Sequence, residues 1–152
     1  MKVVLNDLPQ LAQDVLRRIP HDSSAAALVT LSGDLGAGKT TFTQALAREL
    51  GVAVPVQSPT YVLMRSYDIA HGRFTRLVHI DTYRLNNESE FLALEPQRFF
   101  EDPHALVVIE WPERVIMALP VPNISLTFST EHTNHDERMV ELVVGQPHTN
   151  ER

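Results

Sequence analysis

Gly33-Asp34-Leu35-Gly36-Ala37-Gly38-Lys39-Thr40 meets the phosphate-loop pattern G-x-x-x-x-G-K-[ST] at every fixed position. The run before it, Ala25-Ala26-Ala27-Leu28-Val29-Thr30-Leu31, is short and apolar, as a buried strand is. After it Phe42, Ala45, Leu46 and Leu50 recur at helical spacing. Strand, loop and helix therefore follow in the order that the motif needs. Glycines at 33, 36 and 38 let the backbone curl until successive N–H groups point into one concavity, at the positive end of the new helix. Such a loop accepts a phosphate. Lys39 is placed to reach the β- and γ-phosphates of a nucleotide, and the Thr40 hydroxyl to ligate a bridging Mg²⁺.

The whole chain sets the outer limits. Its 152 residues suit a single domain, 1–152, with enough chain to bury a core, and its polar end from Gln146 reads as a flexible tail. Apolar residues make up 43% and charged residues 21%, which argues against long disorder. Cysteine is absent, so disulfides and cysteine-held zinc are excluded. With no leader-like segment and no long apolar span, the expected location is the cytoplasm, with no membrane contact. A net charge of −6 disfavours independent binding to a nucleic-acid backbone.

The rest of the chain reads as an α/β protein, a phosphate-loop NTPase-like mixed sheet flanked by helices. Lys2 to Leu5 is a short strand. Asn6 or Asp7 then caps a helix whose face is Leu8, Leu11, Val15, Leu16 and Ile19, with Pro9 in its first turn and Pro20 as its stop. The helix after the phosphate loop runs to Leu50, with Gly51 as its cap. Beyond Ser58-Pro59, Thr60 opens an extended run, Tyr61 to Ile69. Thr60 is either a turn residue or a hydroxyl able to approach metal and γ-phosphate, as a GTPase switch threonine does. His71-Gly72 gives 61–81 the form of an antiparallel β-hairpin, and its alternating pattern suggests a half-exposed ribbon.

That hairpin ends in His79-Ile80-Asp81-Thr82-Tyr83-Arg84, which gathers an acid, a phenol and a guanidinium at one strand end. His79 by itself reads as a neutral core histidine and Arg84 as a surface charge; together they mark a candidate site. Ser89 to Phe100 is a broken helix whose Phe91, Phe99 and Phe100 read as core. Ala105-Leu106-Val107-Val108-Ile109-Glu110 is the most continuously apolar strand and ends in a carboxylate. Ligands of open α/β sheets collect at such strand ends. Glu110 is therefore favoured as the acid that holds or polarises the Mg²⁺ shell, and Asp81 is the alternative, orienting water. Trp111 serves either packing or nucleotide sensing. Glu113 to Leu119 reads as a short helix, Ile124 to Phe128 and Met139 to Val144 as strands, and His132 and His135 as solvated.

Four motifs in this order, Gly33 to Thr41, Ser58-Pro59-Thr60-Tyr61, His79 to Arg84 and Ile109-Glu110-Trp111-Pro112, resemble those of the TsaE family over nearly the whole chain. The resemblance implies a small bacterial ATPase that binds ATP with Mg²⁺, hydrolyses it to ADP, and serves threonylcarbamoyladenosine formation in tRNA. It implies TsaD and TsaB as partners and contact with tRNA only through them. By motif match the nucleotide contacts are Asp34, Gly36, Ala37, Gly38, Lys39, Thr40 and Thr41, with Thr60 switch-like and Arg138 a further contact. Thr40 and Glu110 hold the metal, and Lys39, Asp81 and Glu110 carry the chemistry. The N-terminal helix departs from the family pattern, with Leu11 and Val15 where relatives carry Thr and Gly. Two other classes share the loop. A small-molecule kinase needs an acceptor pocket and an arginine-bearing lid, for which the stretch after Glu110 is short and poor in Arg. In a nucleotide-gated binding module, occupancy alone controls docking.

Overall fold

The computed structural model describes residues 1–53, 55–56, 63–131 and 133–145 of the chain. In chain order its regular elements are strand β1 (Lys2–Val4), helix α1 (Leu8–Arg18), β2 (Ala27–Ser32), α2 (Lys39–Glu49), β3 (Met64–His71) and β4 (Phe74–Asp81). Two short helices follow, α3 (Glu88–Leu92) and α4 (Gln97–Phe100), then β5 (Ala105–Glu110), β6 (Ile124–Ser129) and β7 (Glu137–Val144).

β5 is buried at all six positions, as its unbroken apolar run requires of a strand covered on both faces. It lies between β2 and β4 and runs parallel to both, and β6 adds in parallel to the far side of β2. Antiparallel strands close the two sides, giving a seven-stranded sheet of order β1-β7-β6-β2-β5-β4-β3. This topology sends the carboxyl ends of β2, β4, β5 and β6 to one rim. In register, Glu110 stands between Leu31 on one neighbour and Asp81 on the other.

Side chains alternate across a strand, so the two faces of the sheet carry separate apolar clusters. Leu106 and Val108 point to the face covered by α1 and α2, where Leu11, Val15, Phe42, Leu46 and Phe128 pack with them. Val107 and Ile109 point to the other face and meet Phe91, Phe99 and Phe100. The three phenylalanines are core, as expected of them. Phe42, Phe91 and Phe128 are fully buried, each contributing about 1.5–3 kcal/mol relative to exposure. Leu11 and Val15 are buried against α2, which accounts for apolar residues at those two positions.

Several local expectations need correction. The hairpin is real, with Met64 paired to Ile80 and His71 to Phe74, but its strands are not alike. β3 is the exposed sheet edge, whereas β4 is an interior strand buried from Leu77 onward. Arg76 misleads the pattern, because its guanidinium is held by Asp102 and by the carbonyl of Arg98. Asp7 precedes α1 but its side chain makes no capping bond, since Leu5–Asp7 is itself a 3-10 turn. The stretch after Trp111 forms two 3-10 turns, Pro112–Arg114 and Ile116–Ala118, separated by Val115, whose φ of −136° and ψ of 26° are neither helical nor extended. Tyr61 and Val62 of the extended run, His132 and the tail from Gln146 lie outside the described residues. Among the described residues no helix is long and apolar enough to cross a membrane.

Candidate functional site

The chain leaves β2 at the strand-end rim and turns at once. Gly33 has φ +136°, and a Cβ there would stand 2.4 Å from the carbonyl oxygen of Phe128, so the loop lies tight against the end of β6. Gly36 at φ +78° and Gly38 at φ +111° complete the curl, and α2 begins at Lys39 with Gly38 as its N-cap. Gly33→Ala combines left-handed strain with a backbone collision. It is expected to lower stability by about 3 kcal/mol, read as a fall in the urea unfolding midpoint. An unshifted midpoint would mean that the loop does not rest on Phe128.

Lys39 is 5% exposed, and its Nζ donates to the carbonyls of Gly33 at 2.5 Å and Asp34 at 2.8 Å. The same ammonium lies 4.3 Å from the centre of the Trp111 ring. Burial lowers its pKa from the ordinary lysine value, opposed by the charges of Glu110, Asp81, Glu113 and Asp34. The ammonium is thus positioned by the loop, facing the acids of the rim.

Glu110, at the end of β5, is 2% exposed. The Thr40 hydroxyl is 3.1 Å from each of its carboxylate oxygens, and Nε2 of His79 is 2.6 Å from Oε2. Asp81 is its neighbour in register, 5% exposed, and accepts a bond from the backbone N–H of Tyr83 at 2.9 Å. Beyond it the buried Thr82 hydroxyl lies 3.0 Å from the carbonyl of Glu110 and 2.5 Å from that of Trp111. This clip holds Trp111 in a left-handed turn, φ 62° and ψ 51°, with its ring over Lys39 and 4.9 Å from the Tyr83 ring. The tryptophan therefore both packs and lines the cavity.

Gly36, Gly38, Lys39, Thr40, Thr41, Asp81, Glu110 and Arg138 all line one open cavity of about 410 Å³, together with Leu5, Tyr83, Arg84 and Trp111. Arg138 reaches it from β7, its Nε donating to the carbonyl of Ala37 at 3.1 Å. Ala37 is buried in the loop backbone, and Asp34 is exposed, with its carbonyl accepting from Lys39. Thr60 lies outside the described residues. The tie between His79 and Glu110 was not read from the sequence. The signal was present: His79 and Asp81 share a face of β4, and that face meets the carboxylate ending β5.

The donor set fits a hard divalent ion. A hydroxyl and a carboxylate converge beside a second carboxylate, and Mg²⁺ prefers oxygen from one or two protein groups with phosphate and water completing its shell. Among the described residues no group of three or more His, Cys, Asp or Glu side chains is placed to hold a metal ion.

Comparison with known proteins adds an independent line. A family model described as threonylcarbamoyl adenosine biosynthesis protein TsaE matches residues 5–140. The tRNA threonylcarbamoyladenosine biosynthesis protein TsaE of a Synechocystis species is 38% identical over 113 residues, covering 73% of this chain and 68% of that protein. The protein of the same name from Borreliella burgdorferi is 35% identical over 116 residues, covering 76% and 80%. Among solved structures, Bacillus subtilis YdiB aligns with a TM-score of 0.64 at 25% identity, over 95% of this chain and 83% of that one.

Proposed function

Because this chain belongs to the TsaE family of threonylcarbamoyl adenosine biosynthesis proteins, we propose that it is the ATP-driven component of that tRNA modification. In this reading it binds ATP with Mg²⁺, hydrolyses it to ADP and phosphate, and acts on a TsaD–TsaB pair that transfers the threonylcarbamoyl group. The observation that carries the reading is the convergence of the Thr40 hydroxyl and the Glu110 carboxylate beside the Lys39 ammonium, at the mouth of a phosphate loop.

The parts divide as follows. The loop amides from Gly36 to Thr41 and the start of α2 bind the phosphates. Lys39 supplies positive charge at the β- and γ-positions, and Trp111 shields that charge from solvent on one side. Thr40 and Glu110 hold the metal, which when bound neutralises phosphate charge and polarises the reacting water. Asp81, beside Glu110 at the rim, orients that water. Arg138 braces the loop through the Ala37 carbonyl and lines the nucleotide side of the cavity. Thr60 keeps its switch-like assignment on the family resemblance. With a net charge of −6 the chain leaves the tRNA-binding surface to its partners.

Steady-state ATP hydrolysis by the protein alone and with a purified TsaB–TsaD pair tests the proposal. Slow turnover alone, raised about tenfold or more by the pair, is the expected result, as when docking completes a catalytic constellation. No stimulation together with no binding to the pair would reject it.

A further inference from the structure

We propose that His79 is a positioning residue for Glu110, donating from its Nε2–H to Oε2 and holding the carboxylate against the Thr40 hydroxyl. The inference rests on the reading of Thr40 and Glu110 as the Mg²⁺ site. His79 is fully buried in the middle of β4, and its Nε2 lies 2.6 Å from the carboxylate. Its other ring nitrogen, Nδ1, is buried and finds no hydrogen-bond partner among the described residues. A carboxylate can only accept, so Nε2 carries a proton and donates it to Oε2.

Such an arrangement is a poor way to fill space. The residues flanking His79, Val78 and Ile80, are apolar and buried, and an apolar side chain at 79 would strand no ring nitrogen but would leave both oxygens of the buried carboxylate to the one Thr40 hydroxyl. What the imidazole adds is direction. A buried carboxylate with one donor rotates freely about its last bond; with Thr40 on one side and a rigid ring on the other it presents one edge. Partners of this kind, behind a metal-holding carboxylate, set its orientation and are worth about 10–100-fold in metal affinity.

The test separates this role from simple packing. Wild-type protein is titrated with the β,γ-imido analogue of ATP, once in Mg²⁺ and once in EDTA, following emission of Trp111, the sole tryptophan, beside Lys39. His79→Phe, which keeps a ring and loses the donor, should reduce the ratio of the two affinities about tenfold or more, with the EDTA value held within about twofold. His79→Gln, whose amide can donate from nearly the same place, should bring the ratio back to within about threefold of wild type. An unchanged ratio in His79→Phe overturns the proposal, as does an equal fall in both affinities that His79→Gln does not rescue. A wild type that binds no nucleotide under either condition rejects the proposed function instead, and leaves the hydrogen bond to be judged separately. A long-range ¹H–¹⁵N spectrum of the wild-type protein does that without any variant: an Nε2–H tautomer is expected for His79, and an Nδ1–H tautomer overturns the assignment.

Discussion

Lys39→Ala is expected to abolish measurable ATP binding, weakening it by at least about a hundredfold, or about 3 kcal/mol. The size follows from where the ammonium sits. It is 5% exposed, fixed by two loop carbonyls and the face of Trp111, so its position is set before any phosphate arrives. Glu110 and Asp81 face the same cavity, and their charges repel an anionic ligand. Removing the lysine takes away the nearest positive charge at the loop and leaves that repulsion in place. The helix N-terminus remains, but its partial charge contributes only about 0.3–1 kcal/mol, rising to about 2 where partly buried. Trp111 gives the assay a local reporter, since nucleotide arrival disturbs the cation 4.3 Å from its ring. Calorimetry checks the affinity directly, and wild-type affinity in Lys39→Ala would place the nucleotide elsewhere.

Much of this site was legible because its determinants are local. Three glycines, a lysine and a threonine at fixed spacing force the loop conformation with little help from the rest of the chain, and the structure has positive φ at all three glycines. The Glu110 position was legible for a related reason, since an unbroken apolar run needs a buried parallel strand and its end then lies on the ligand rim. What failed to show was pairing between distant segments. Alternation along the hairpin 61–81 suggests a half-exposed ribbon, yet in β4 Arg76 finds Asp102 at 3.1 Å and the strand runs on into the interior. His79 gave the same difficulty in sharper form. A single polar residue in an apolar strand does not announce an acceptor 31 positions away, and only the parallel register of β4 and β5 brings the two together. The Thr82 clip on the Glu110 and Trp111 carbonyls is equally non-local.

Glu110→Gln separates binding from chemistry. The amide has nearly the same shape, and the site can accommodate it: its oxygen accepts from Nε2–H of His79, and its NH₂ donates to Thr40, whose hydroxyl can accept as well as donate. Folding should therefore survive, with thermal unfolding little changed. The phosphate loop and Lys39 are untouched, so nucleotide affinity in EDTA should be unchanged, and the part that depends on Mg²⁺ should fall by about tenfold, no less than in His79→Phe. Turnover is another matter. The carboxylate supplies the formal charge that holds and polarises the metal and its water, an effect of several kcal/mol in the transition state, and phosphate release should drop by at least about a hundredfold. That pattern, retained binding with lost hydrolysis, also provides the variant that distinguishes an ATPase from a nucleotide-gated binder. If Glu110→Gln still supports threonylcarbamoyl transfer by the partner pair through many cycles, occupancy alone is sufficient and hydrolysis is incidental. If instead its hydrolysis equals that of wild type, the acid that holds and polarises the metal is Asp81, its neighbour in register, and Asp81→Asn should show the loss in its place.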